Sequence, residues 1–267
     1  LFSEGNYPDP YFAVGRLAAR SADDIKNYLE KIKEYDLAPF APQTIEEKSW
    51  LKNVMHLGGG GNDSERLQIK TALEQMGDIM SDTIYGAKIH SFYKKSSAAI
   101  EYNVNEEINT LFENGVRMLN FYGHSAATSW EFSLENPRDY DNFGRYPLVN
   151  SFGCLSGNLH GPAKGISEAF VMEKNRGSIT FFASTGTAYV HDLTPYGNSL
   201  LSSMFKENRS APLGTHIKNL ATKNRNSTGT QAILLAQLTL HGDPALKFHF
   251  DPAPDYLFDP TSVKTTP

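Results

Sequence analysis

Short runs of nearly uninterrupted apolar residues, many of them β-branched or aromatic, alternate along this chain with segments of helical periodicity, and no other feature restricts the fold as much. Such runs at residues 11–17, 52–57, 87–93, 116–122, 147–152 and 178–183 read as strands. A strand that is apolar on both faces has to be covered on both faces, which favours a parallel sheet wrapped by helices over a half-solvated antiparallel one. Helices are signalled in between. Ser21 is suited to cap one, with Asp23 and Asp24 in its first turn and Ile25, Leu29 and Ile32 on one face. Residues 64–80, 105–113, 166–174 and 230–240 read as further helices. The expected fold class is α/β, with a mostly parallel sheet and helices on both faces.

Two prolines interrupt all periodicity within residues 37–44, LAPFAPQT, and mark a linker. Residues 1–44, with one strand and one helix, then read as the end of a preceding α/β subdomain plus a linker. Residues 45–250 form the main α/β subdomain, and the proline-rich residues 251–267 lead toward a following domain. A first residue that is Leu, together with that proline-rich end, suggests a segment of a longer multidomain chain.

The 25 basic and 30 acidic residues give a formal charge of −5 without long blocks of one sign, which argues against nucleic acid or an anionic membrane as partner. No apolar run is long enough to insert in a membrane, and the first twenty residues lack the basic start and apolar centre of a signal peptide. With one cysteine, Cys154, the chain has no internal disulfide and no multi-cysteine zinc site. The remaining choices for Cys154 are a small buried hydrophobe or a reactive thiol.

In open parallel sheets, ligands bind beyond the carboxyl ends of the strands. Three of the expected strands end in suggestive sequences: 52–57 runs into the glycines 58–61, 116–122 ends in Gly123-His124-Ser125, and 147–152 ends in Gly153-Cys154. A histidine and the sole cysteine thereby come to one sheet edge. An imidazole near a thiol raises the reactive thiolate fraction and can protonate a leaving amine. The backbone N–H groups of Ser125 and Cys154 are candidates for an oxyanion hole. The glycine run carries no Gly-Lys-Ser/Thr and no dinucleotide fingerprint, so phosphate binding is a poor fit.

Residues 117–134, RMLNFYGHSAATSWEFSL, and 146–161, YPLVNSFGCLSGNLHG, resemble the His and Cys segments of gingipain-type cysteine peptidases, family C25 of the caspase-like clan. The spacing of thirty positions between His124 and Cys154 is similar. So are the stretch that begins at YPDPYFAVGRL, the segment GSITFFASTGTAYV and the closing LTLHGDPALKF, all in the family's order. The resemblance implies a caspase-like α/β fold and a cysteine-type endopeptidase acting on protein or peptide substrates through a Cys154–His124 dyad. It implies no tight resting contact between the two, no required cofactor and room for a structural calcium ion. It also implies a secreted or cell-surface protein of a Bacteroidetes-like bacterium. Ser125 departs from the family's glycine after the histidine; its side chain is tolerable there at negative φ and would crowd the oxyanion hole otherwise.

Arginine-specific gingipains carry an acid near the opening of the corresponding helix. Glu65 falls nearest, with Asp63 beside it, and the resemblance makes them candidates for a pocket preferring a basic residue before the cut; both also suit a helix N-terminus on dipole grounds alone. Thr185 and Tyr189, after the strand that follows the nucleophile, are expected on one wall of the substrate cleft and Trp130 opposite, although a tryptophan in such a place is also a natural core residue. His56, His90, His160, His191, His216, His241 and His249 show no ligand spacing, and no metal is assigned to them. Asp243 is expected to cap a turn. A sortase-like transpeptidase of the type IX secretion system and a non-catalytic caspase-like binding domain remain as alternatives, with a flavodoxin-like ligand-binding domain the poorest fit.

Overall fold

The computed structural model describes residues 10–250 except 42–43, 83, 102–104, 135 and 162; the expected linker at 251–267 and the start of the YPDP stretch lie outside the described residues. The strands are β1 (Gly15–Arg16), β2 (Asn53–Gly58), β3 (Lys88–Tyr93), β4 (Met118–Tyr122), β5 (Leu148–Phe152), β6 (Thr180–Ser184) and β7 (Leu238–His241). They form one sheet in the order β1-β7-β6-β5-β4-β2-β3. Every neighbouring pair is parallel except β6 and β7. Strands β4, β5 and β6 are buried at every position, as expected for strands covered on both faces.

Helices α1 (Ala22–Leu37), α3 (Asn105–Asn114) and α4 (Ile166–Met172) cover one face. The other is covered by α2 (Asp63–Met80), α5 (Val190–Ser202), α6 (Leu213–Lys223) and α7 (Gly229–Gln237). Ser21 caps α1 in a reciprocal capping box with Asp24. The Lys31 ammonium is buried at the C-terminal end of α4, where it donates to the carbonyls of Val171, Arg176 and Ser178 at 2.7–3.0 Å. The Val171 carbonyl, in the last turn of α4, would otherwise be an orphan acceptor.

Three expectations need correction. The strand expected over 11–17 is confined to Gly15–Arg16, where the chain runs so close to Gly242 that a Cβ on Gly15 would lie 2.1 Å from its carbonyl oxygen. The helix expected to reach residue 240 stops at Gln237, and Leu238–His241 pairs antiparallel with β6. Leu234 and Leu238 lie four apart and imitate helical spacing, while the ladder is set by a distant strand. Helices α5 and α6 have no counterpart among the predicted elements. Pro195 lies inside α5 and Pro212 caps α6, so both carry a residue that usually signals a break.

The sheet order reverses beside β2, which has β3 on one side and β4 on the other. The loops after β2 and β4 therefore open at a topological switch point, with the loop after β5 adjacent.

Candidate active site

Three loops meet at the carboxyl ends of β2, β4 and β5. Gly59 follows β2 and donates its N–H to Tyr122 O at 2.8 Å, while Gly123 follows β4 and donates to Phe152 O at 3.3 Å. His124 and Cys154 thus leave adjacent parallel strands two residues beyond the ladder. The loops approach closely: a Cβ on Gly153 would lie 2.3 Å from Ser125 Oγ and 2.8 Å from Gly123 O. Ser125 has negative φ; among the described residues the non-glycine positions with positive values are Leu155 and Asn175. Its hydroxyl donates to Cys154 O at 2.7 Å and fastens the histidine loop to the cysteine loop. Among the described residues the N–H groups of Ser125 and Cys154 have no acceptor.

Cys154 is half-buried. Its Sγ lies 3.3 Å from both Ala188 N and Ala188 O, so the same residue offers the sulfur a donor and an acceptor. Leu155 holds φ 58° immediately after it, a left-handed conformation that costs a branched side chain on the order of 1–3 kcal/mol. The N–H of Leu155 is fixed on Gly186 O, and that of Gly157 on Ser184 O, each at 2.9 Å.

The imidazole of His124 does not bond to the thiol. Its Nε2 lies 3.0 Å from Oε2 and 2.9 Å from Oε1 of Glu65. Asn62 caps α2 by accepting from Glu65 N, and Glu65 in turn reaches back to Gly61 N at 2.8 Å. Burial opposes ionisation of Glu65, but the Gly61 N–H and His124 outweigh it and hold the carboxyl below the usual range. Because 59% of the imidazole surface is exposed, the pair contributes roughly 0–1 kcal/mol to stability; its value is orientation. An open cleft of about 610 Å³ is lined by Gly61, Glu65, Gln68, His124, Tyr189 and His191.

Three expected cleft residues lie elsewhere. Trp130 is buried, stacked between Phe121 and Phe181 with ring centroids at 4.9 and 5.7 Å, and donates to Ser151 Oγ; its size suits the core under the loop, not the cleft. Asp63 turns to solvent and takes Arg66 at 2.5 Å. Thr185 is tied through N and Oγ1 to Gln237 O, at the end of α7. Glu65 and Tyr189 do line the cleft, and Tyr189 stacks on His191. Asp243 Oδ1 caps its turn by accepting from Ala245 N.

Sequence reasoning passed over Glu131 and Lys94. The Glu131 carboxylate is buried beneath the loops, bonded to the N–H groups of Gly60 and His124 and to Lys94. A glutamate between Trp130 and Phe132 was the available signal: an acid inside an apolar stretch has to be paired if it is buried. His56 and His241 are core histidines, which burial holds neutral with pKa values of about 3 and about 4. Among the described residues no three His, Cys, Asp or Glu side chains are grouped so that they could hold a metal ion. No described helix is long and apolar enough to cross a membrane.

A crystal structure of the Arg-specific cysteine proteinase gingipain R is similar at TM-score 0.68 and 18% identity, over 90% of this chain and 56% of that one. The complex of Porphyromonas gingivalis RgpB pro- and mature domains gives 0.70 and 16%, over 91% and 58%. At these identities the likeness concerns the fold, which is gingipain-like, and the chain spans little more than half the length of the chains it matches. No curated protein sequence matches significantly. The sequence profile of Peptidase family C25 matches residues 2–249, nearly the whole chain, and the chain belongs to that family.

Proposed function

We propose that this chain is a cysteine endopeptidase in which Cys154 is the nucleophile, His124 the general acid and base, and Glu65 the group that orients His124. The observation that carries the reading is the position of thiol and imidazole at the ends of adjacent strands, beside two N–H groups, of Ser125 and Cys154, that have no acceptor among the described residues. The thiolate adds to the scissile carbonyl, and the oxyanion that forms is held by those N–H groups. The C–N bond then breaks as His124 gives a proton to the departing amine, leaving a thioester on Cys154. His124 next takes a proton from water, which attacks the thioester and releases the acid.

Glu65 occupies Nε2 of the imidazole, so Nδ1 is the nitrogen left to exchange protons in the cleft. Because Glu65 also lines the cleft, its charge favours a basic residue before the cut, the preference named for the arginine-specific structural relative. Secretion to the cell surface and a place in a longer chain belong to the same reading.

The test is labelling by a panel of peptidyl acyloxymethyl ketones, read by mass spectrometry. An adduct on Cys154 that disappears in His124→Ala and is strongest with Arg or Lys is expected; a folded protein that reacts with no member overturns the assignment. Products formed with an added amine separate hydrolysis from transpeptidation.

A further inference from the structure

The geometry points to Glu131 as the positioning residue of this site: its charge, balanced by Lys94, locks the histidine loop to the glycine loop. The inference rests on the peptidase reading above and concerns a residue that touches no reacting atom. One oxygen, Oε2, accepts from Gly60 N and from His124 N, both at 2.8 Å, so it bridges the loops after β2 and β4. The other, Oε1, accepts from Lys94 Nζ at 2.7 Å. The two side chains are only 2% and 6% exposed.

The surrounding sequence is shaped around this carboxylate. A Cβ on Gly59 would lie 1.8 Å from Oε2 and one on Gly123 would lie 2.6 Å away, so both loops have glycine where the oxygen sits. Lys94 is placed by its own N–H, which donates to Gly58 O at 2.8 Å at the end of β2. The Glu131 backbone is anchored too, since its carbonyl accepts from Glu101 N at 2.7 Å.

Holding the His124 N–H fixes the backbone from which the imidazole projects, and holding Gly60 fixes the loop that leads to Glu65. The same carboxylate therefore places both members of the His124–Glu65 pair. Glutamine is no substitute: its one oxygen cannot serve both sides, and its NH2 would face either the ammonium or two N–H donors.

The test compares wild type, Glu131→Gln and Glu131→Gln/Lys94→Met in the full chain. Three quantities are read: thermal midpoint, labelling of Cys154 by a peptidyl acyloxymethyl ketone, and labelling by iodoacetamide. The single variant leaves a buried unpaired ammonium and loses stability; the double variant removes that charge and regains most of it. Peptidyl labelling is expected to stay about 10- to 100-fold slow in both variants, while iodoacetamide labelling, which reads the thiolate fraction without peptide positioning, falls much less. A double variant that regains the wild-type peptidyl rate along with its stability overturns the inference, since packing alone would then suffice. Histidine-ring NMR gives a readout independent of catalysis: the His124 resonances are expected to lose the signature of the Glu65 contact in both variants, and unchanged resonances in the double variant overturn the inference. A wild type that is folded but unlabelled removes the peptidase reading instead, and the NMR result still decides the role of Glu131.

Discussion

The histidine half and the cysteine half of the site are held by different physics. On the histidine side the loops after β2 and β4 are gathered by carboxylates, Glu131 from beneath and Glu65 from the cleft, with Lys94 balancing the buried one. On the cysteine side the loop after β5 is held by backbone contacts to Ser184, Gly186 and Ala188, by the Ser125 hydroxyl, and by the close fit around Gly153. One half answers to charge and the other to shape. An acyl-transfer site needs a nucleophile that does not move and an acid/base that can be oriented and can still change protonation state.

Cys154→Ala should lower peptide hydrolysis by at least about 10⁴-fold without changing the thermal midpoint greatly; retained hydrolysis would move the chemistry elsewhere. Gly153→Ala puts a methyl group into the Ser125 hydroxyl and should slow peptidyl labelling by about 10²-fold at any pH, whereas a pH-dependent loss would show that the cysteine half also depends on charge.

A buried neutral histidine supports each half. His56 lies on β2 below the glycine loop, and His241 lies within hydrogen-bond distance of Gly157 O below the cysteine loop. Both have folded pKa values depressed by burial, to about 3 and about 4, so below the ordinary value of 6.5 the unfolded chain binds protons that the folded chain does not. Stability is therefore full above pH 6.5 and falls with pH, over the window 6.5 to 4 for His241 and on to 3 for His56. Each contributes about tenfold per pH unit to the folding equilibrium. Denaturant melts at pH 7, 5.5 and 4.5 should show the loss, with a shallower dependence in His56→Leu.

Glu65→Gln should reduce kcat/KM by about 10-fold through a misoriented His124. If the loss instead appears in KM and only for substrates with Arg or Lys before the cut, Glu65 acts as the specificity acid alone. Tyr189→Ala, on the exposed cleft wall, should change KM by about 2- to 5-fold and leave stability unaffected, as surface substitutions usually do.

Much of this fold was legible because burial is written locally. The apolar runs at β2, β4, β5 and β6 read as covered strands and are buried, whereas the run at β3 forms a partly exposed edge strand, and Ser21 with its first-turn acids marks a helix start that the structure bears out. The misreadings share a cause. Leu238, four positions after Leu234, fits helical spacing until β6 claims it, and Trp130, at the loop end where a cleft wall was expected, finds two aromatic neighbours from different strands. Asp63 and Glu65 are two positions apart on one helix, and nothing local says which of them faces the cleft and which takes Arg66.

That strands alternate with helices, that the chain resembles a C25 peptidase, and that His124 and Cys154 follow strands can be read along the chain. Those properties depend on composition, periodicity and residues close in the chain. Packing of the whole chain put β4 between β2 and β5, and hence His124 between the glycine loop and the cysteine loop. It also decided that Glu65 meets the imidazole, 59 positions away, and that Glu131 reaches Gly60 across 71. A buried carboxylate takes whichever donors the folded loops bring within about 3 Å, and that depends on strand order and loop packing, which no local pattern encodes.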